Sequence, residues 1–401
     1  MGDLYPFDLK LADLRRRTSM KWRSVGPDVL PLWVAEMDVL PAGPVVEVVR
    51  AALERGDTGY AFGTDYAEAY AAFATTRWGC DGFDPARSAL VADVMVGVIE
   101  ILKLVTGPGD AVVVTPPVYP PFYSFIEHSG RRLVEVPLRS DGRLDIDALA
   151  DTFSRVAHHG RTAFLLCSPH NPTGTVHSAG ELESVAALAG AAGVRVVVDE
   201  IHAPLVLPGA AFTPYLSVPG ADTGFAVVSA SKGWNLPGLK AAVAFAGEAA
   251  ATDLRALPEE VGHGPSHLGV LAHTAALQNG GEWLDTVVAG LDRNRSSLAQ
   301  LLTAELPSVV WNPGAASYLA WLDFSSLATV TAHTDGRSSR GDVSVQTGVA
   351  AWLLEHARVL LSSGPAFGAG SRDCARINFA TSTSILTEAV ARIGAAVSNA
   401  G

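Results

Sequence analysis

The run Val194-Arg195-Val196-Val197-Val198 constrains the fold of this chain more than any other segment, because β-branched residues in near-unbroken succession favour a strand with no wet face. Strands buried on both sides belong to parallel sheets, which helices cover above and below. Ala111 to Val114, Phe164-Leu165-Leu166-Cys167 and Phe225 to Val228 have the same character. Helical patterns such as Ala179 to Ala192 separate such runs from about residue 45 to 290. The alternation predicts an α/β fold with a mostly parallel central sheet and helices on both faces.

A long helical pattern from about Gly281 to Leu306 leads into strands expected at Ser317 to Leu322, Val359 to Ser362 and Ala375 to Phe379, with helices near Val345 to His356 and Ile385 to Ser398. This reads as a smaller α+β domain. The expected organisation is an N-terminal segment over 1–44 that joins the small domain and the site entrance, a large domain over 45–290 and a small C-terminal domain over 291–401. The polar stretch Thr331 to Asp342 is expected as an exposed loop.

The chain has 401 residues, enough for more than one domain, and its 29 Lys plus Arg against 41 Asp plus Glu give a net charge of −12. That balance argues against nucleic acid or an anionic membrane as a partner. The N-terminus lacks a basic region followed by an apolar one, and no apolar run is long enough to span a bilayer, so a cytoplasmic protein is expected. Cys80, Cys167 and Cys374 are widely separated and read as reduced thiols. His263 and His267 enclose Gly264 and Pro265, which spoils helical presentation of a metal pair, and no metal is expected.

Each predicted strand ends in chemistry. Asp199 closes the Val194 run at a carboxyl edge, where open α/β sheets bind ligands. A buried aspartate there needs a cation to stay ionised, which a protonated pyridine nitrogen or an arginine would supply, and a helix N-cap is the plainer alternative. Phe225 to Val228 delivers Lys232 into Ser229-Ala230-Ser231-Lys232-Gly233, where close backbone approach and flanking hydroxyls suit an aldehyde-binding amine as well as a solvated surface lysine. Asn171 is held rigidly in Pro169-His170-Asn171-Pro172-Thr173-Gly174. Tyr119, among four prolines, is an aromatic fit to stack on a flat ring or to pack in the core. Gly97 lies in what reads as the first turn of a helix, whose free amides suit a phosphate.

The order of these motifs resembles the fold-type-I pyridoxal-phosphate enzymes. Leu32-Trp33-Val34-Ala35-Glu36-Met37-Asp38, Asp199-Glu200-Ile201-His202, Ser231-Lys232-Gly233-Trp234-Asn235-Leu236-Pro237-Gly238-Leu239 and Arg376-Ile377-Asn378-Phe379-Ala380-Thr381-Ser382 are similar to the cystathionine β-lyase branch of MalY/PatB type. The resemblance runs from about Thr18 to the last helix, and implies an aspartate aminotransferase-like fold with pyridoxal 5'-phosphate on the large domain. It implies that Lys232 condenses with the cofactor aldehyde and moves the α-proton, that Asp199 holds the pyridinium nitrogen and that Tyr119 stacks on the ring. Asn171 and His202 would lie near the phenolate oxygen. Ser229, Ser231, Lys240 and the amides around Gly97, those of Val98 and Ile99, would cup the phosphate, with Tyr60 reaching it from the second subunit of a homodimer. Arg376 would clamp the substrate carboxylate, with Asn171 and Trp33 beside it, and Trp33, Met37 and Tyr318 would border the entrance. Glu36 stands where the family more often has aspartate, Val39 where it has an aromatic, Arg23 where it has an acidic residue and Ser168 where asparagine is common.

The activity so implied is α,β-elimination from cystathionine or another cysteine S-conjugate, a thioether amino acid, giving a thiol, pyruvate and ammonia. The same shell serves an aminotransferase or a decarboxylating or oxidative enzyme of specialised biosynthesis. A regulatory partner protein that carries the cofactor is the alternative of another class.

Overall fold

The computed structural model describes residues 5–331, 340–341 and 346–400. Its strands, numbered along the chain, are β1 (Leu30–Pro31), β2 (Ser88–Val91), β3 (Ala111–Val114), β4 (Arg132–Glu135), β5 (Thr162–Cys167), β6 (Arg195–Asp199), β7 (Phe225–Val228), β8 (Ala242–Ala246), β9 (Leu319–Asp323), β10 (Val359–Leu360), β11 (Ser362–Ser363) and β12 (Cys374–Asn378). Seven of them form one sheet in the order β2-β8-β7-β6-β5-β3-β4. All neighbours from β7 to β4 are parallel, and only β8 runs against the rest.

Burial on both faces follows residue by residue. In β5, Ala163, Leu165 and Cys167 enter one core cluster while Phe164 and Leu166 enter another, and β3 and β6 alternate in the same way. Helix Val94–Val105 covers the first face and helices Ile146–Ala157 and Ala179–Ala192 the second. Each fully buried Val, Leu or Phe contributes about 1.5 to 3 kcal/mol, so the run that predicted the strand also anchors the layers. Helix Ala179–Ala192 matches its expected bounds because Ser178 and Glu181 form a reciprocal capping box and Gly193, at φ 67°, ends it.

A second, antiparallel sheet has the order β11-β12-β9, with Arg376 opposite both Ser362 and Trp321. The expected single strand over 359–362 is two strands. Val359 and Leu360 pair with β1 in a parallel ladder, and the chain then turns past Leu361 to pair Ser362 and Ser363 with β12. β1 thereby fastens the N-terminal segment beside the small sheet. Helices Gly281–Glu305, Gly348–Ala357 and Thr383–Ala400 accompany that sheet. Of the predicted loop over 331–342, residues 332–339 and 342 lie outside the described residues, as does Val345. Among the described residues no helix is long and apolar enough to cross a membrane.

Candidate active site

Strand polarity gathers the predicted groups. β3, β5, β6 and β7 are parallel, so the loops after them, carrying Tyr119, Asn171, Asp199 and Lys232, leave the same edge of the sheet. Tyr119, Asn171, Asp199, His202, Ser231, Lys232 and Lys240 line one cavity there, together with Asp93, Val94, Met95 and Ala35.

Asp199 is 3% exposed, and burial pushes its carboxyl up to about 7, against the pull of the Ile201 N–H and of the Lys232 charge. Its Oδ1 accepts from the Ile201 amide at 3.0 Å. Such a carboxylate is short of a cation. Lys232 is half-buried and donates from Nζ to the Ala35 carbonyl at 2.9 Å. Burial first, and then the charge of Arg376, bring its amine down to about 8, so a neutral fraction exists near physiological pH.

The turn that carries Lys232 is braced from below. The Tyr66 hydroxyl accepts from the Ala230 amide at 3.0 Å and lies 2.9 Å from Nδ1 of His273. Ser229 Oγ donates to the Ala241 carbonyl at 2.8 Å and accepts from the Ser231 amide at 3.1 Å. Asn235, in the left-handed region at φ 57°, grips both the amide and the carbonyl of Met37 at 2.8 Å.

Arg376 is 4% exposed and hydrogen-bonds through Nη1 to Asn171 Oδ1 at 3.0 Å and through Nη2 to the Trp33 carbonyl at 3.0 Å and Ser362 Oγ at 3.1 Å. A guanidinium only donates, so the atom of Asn171 that faces it is the oxygen and the amide N–H groups turn away from it. Of the five guanidinium N–H donors, one on Nη1 and that on Nε have no partner among the described residues; Arg376 is not itself part of the cavity lining and adjoins it through Asn171. Burial lowers Arg376 to about 10, which leaves it cationic at neutral pH. His202 sits beside Ser317 Oγ at 3.1 Å, and burial together with the charges of Lys232 and Arg376 holds it down to about 3, as a neutral ring.

The phosphate end of the cavity differs from the sequence reading by one turn. Helix Val94–Val105 starts three residues before Gly97, with Asp93 as its cap, Oδ1 accepting from the Val96 amide at 2.9 Å. The Gly97 amide already donates to the Asp93 carbonyl at 2.9 Å, and those of Val98 and Ile99 fall within the helical i to i−4 ladder. With the Val96 amide taken by the Asp93 side chain, the first-turn amides left over are those of Val94 and Met95, and these residues line the cavity. Gly97 is there for packing. A Cβ on it would stand 2.8 Å from Val91 Cγ2 and 3.0 Å from Val227 Cγ1. An aspartate directly before the apolar periodic run is the signal that marks the cap and, with it, the free amides.

Other expected neighbours also stand elsewhere. The Ser229 hydroxyl, engaged with Ala241, is not part of the cavity lining. Trp33 touches the site through its carbonyl, because its indole is packed with Val29 and Leu360. Met37 is fully buried in the core and does not border an entrance. Tyr318 is buried too, its hydroxyl donating to the Ala35 carbonyl at 2.9 Å. Tyr60 is 80% exposed and does not line the cavity of its own chain. Ser231 and Lys240 do, the lysine pairing with Asp93 at 2.8 Å.

The model of the aminotransferase class I and II family matches residues 28–393, most of the chain. The chain belongs to that family. It is 55% identical over 395 residues to a Mycobacterium leprae protein provisionally named a cystathionine beta-lyase, covering 98% of each chain. It is 32% identical over 391 residues to the cystathionine beta-lyase PatB of Bacillus subtilis, covering 95% of this chain and 97% of PatB. Among solved structures, a provisionally assigned PLP-dependent beta-cystathionase from Corynebacterium diphtheriae superposes with a TM-score of 0.86 at 31% identity, over 98% of this chain and 99% of that one. The fold of this family member is thus the aspartate aminotransferase-like fold that its motifs implied.

The residues fit pyridoxal phosphate on grounds of their own chemistry. A buried carboxylate short of a cation, an amine brought toward neutrality, an aromatic at the cavity wall, and helix-start amides beside a lysine are groups that would suit a ring nitrogen, an aldehyde, a ring face and a phosphate respectively.

Proposed function

We propose that this protein is a pyridoxal-phosphate-dependent carbon–sulfur β-lyase that performs α,β-elimination on cystathionine or another thioether of cysteine, releasing a thiol, pyruvate and ammonia. One observation carries the reading: Lys232 and Asp199 meet with Tyr119 and Asn171 in a single cavity at the carboxyl edge of the sheet, in a chain whose relatives are named cystathionine beta-lyases.

Lys232 would hold the cofactor aldehyde, Asp199 the ring nitrogen and Tyr119 the ring face. The Asn171 amide N–H groups and His202 would stand near the ring oxygen, with Ser231, Lys240 and the Val94 and Met95 amides at the phosphate. When bound, the cofactor supplies an electron sink for the substrate's α-carbon. Arg376 orients the substrate by its carboxylate, using the donors left on Nη1 and Nε. Lys232 Nζ, its basicity lowered by burial, takes the α-proton. The Ala35 carbonyl, which already accepts from Nζ and from the Tyr318 hydroxyl, keeps the released amine in place for that transfer. The Cβ–S bond breaks with its electron pair on sulfur, and water completes the conversion to pyruvate and ammonia.

The large cofactor-bearing domain of this reading spans about 45–290 and the small one 291–401, with 1–44 joining the small domain and the site entrance. The working form is a homodimer in the cytoplasm. Tyr60 at 80% exposure and Phe62 at 95% are apolar surface that a second copy would cover, with Tyr60 reaching toward that copy's phosphate end. The test is pyruvate release from L-cystathionine, which is expected from the purified protein loaded with cofactor and lost in Lys232→Ala. Release that survives in Lys232→Ala overturns the assignment of that lysine.

A further inference from the structure

Beside the cavity lies a second groove, lined by Arg16, Arg17, Ser19, Glu36 and Asn235 and sharing the wall residue Pro237 with it. Its charges are of both signs and unequally engaged. Arg17 is committed, donating to the Val39 carbonyl at 2.7 Å and the Met37 carbonyl at 3.3 Å and lying 3.9 Å from Asp38. Arg16 is exposed and makes no ion pair among the described residues. Glu36 is half-buried and held by a single Ser19 Oγ donor at 2.7 Å on Oε2. Glu36 directly follows Ala35, whose carbonyl holds Lys232, and its charge pulls against the larger lowering of the Lys232 amine by burial and by Arg376.

The strap that carries Glu36 is fixed. Arg376 and Ser362 bind the Trp33 carbonyl, Asn378 binds those of Val34 and Glu36, and Asn235 binds that of Met37. A carboxylate on so rigid a strap, in a groove also lined by an exposed guanidinium, suits a ligand that carries both charges.

We propose that this groove receives the far end of the substrate's sulfur substituent, and that Glu36 and Arg16 select thioethers ending in a second amino-acid head group. Glu36 takes its ammonium and Arg16 its carboxylate. Simple S-alkyl cysteines leave both charges solvated and gain nothing from them. The inference rests on the lyase reading and names the substrate class that this site prefers.

The experiment compares kcat/KM for L-cystathionine and S-methyl-L-cysteine in wild type, Glu36→Gln and Arg16→Ala. Gln still accepts from Ser19 and Arg16 is exposed, so both variants are expected to fold. The cystathionine-to-methylcysteine ratio is expected to fall about threefold to fivefold in each variant, the worth of one partly exposed charge contact, with the change in KM rather than kcat. Any general effect of Glu36 on Lys232 enters both substrates and cancels in the ratio. An unchanged ratio in both variants, with wild type active on both substrates, overturns this inference and leaves the lyase reading intact. A wild type that releases pyruvate from neither substrate overturns both.

Discussion

Replacing Asp199 by Asn should stabilise the cofactor-free protein while disabling the enzyme. The carboxyl is 3% exposed, and burial raises it from the ordinary aspartate value to about 7. A group whose folded-state pKa is raised contributes most below its unfolded pKa, and that contribution is lost as pH climbs toward the folded value. Between about pH 5.5 and pH 7 the loss is one and a half units at 1.36 kcal/mol each, or about 2 kcal/mol, and it stays constant above. Asn keeps the shape and can still accept from the Ile201 amide, which holds Oδ1 at 3.0 Å, but it does not titrate. Any fixed cost of the new amide N–H groups is common to all pH values. The quantity to measure is therefore the variant-minus-wild-type difference in urea unfolding free energy, at about pH 5.5 and again at about pH 8. The difference should shift in the variant's favour by about 2 kcal/mol at the higher pH. Parallel curves would show that Asp199 is already compensated in the protein alone, and the argument that it awaits a cationic ligand would fall.

Arg376→Lys should raise KM for the amino acid by roughly 30- to 150-fold, since one ammonium cannot hold Asn171, Trp33 and Ser362 and still present donors to a carboxylate; a steady-state KM near wild type would contradict the clamp. Gly97→Ala should lower stability by about 1 to 3 kcal/mol, offset in part by better helix propensity, because its Cβ would meet Val91 and Val227; an unchanged melting temperature would refute the packing role. Mixing Tyr60→Ala with Lys232→Ala, each nearly inactive alone, should restore part of the activity through mixed dimers in which one of the two sites is intact. Absence of any recovery after subunit exchange would count against a shared site.

How much of this was legible in the sequence depends on what fixed each residue. Strand bounds at Ala111–Val114 and Phe225–Val228, and the helix Ala179–Ala192, could be read because burial on both faces and a capping box leave local signatures. The edge that gathers Tyr119, Asn171, Asp199 and Lys232 followed from parallel strand order, a global consequence of the same pattern. The phosphate amides were placed a turn late, at Val98 and Ile99 rather than Val94 and Met95, because a glycine was taken for a phosphate-approach residue. Its actual constraint, a close crossing over Val91 and Val227, comes from residues distant in the chain or on another strand. Trp33 was expected beside Arg376 and meets it through its carbonyl, a contact that no residue type encodes. The hydroxyl of Ser229, spent on Ala241 across the turn, is invisible for the same reason. The split of 359–363 between two sheets depends on β1, more than three hundred residues upstream, and so had no local signal.

The central claim is elimination at a cysteine thioether, and the most direct test is stoichiometric. Cofactor-loaded protein is mixed with L-cystathionine, and thiol, pyruvate and any amino group passed to 2-oxoglutarate are quantified in the same sample. Thiol and pyruvate in equal amounts, with no amino transfer, is the predicted result. Amino transfer without thiol release would contradict it and make this chain an aminotransferase built on the same site.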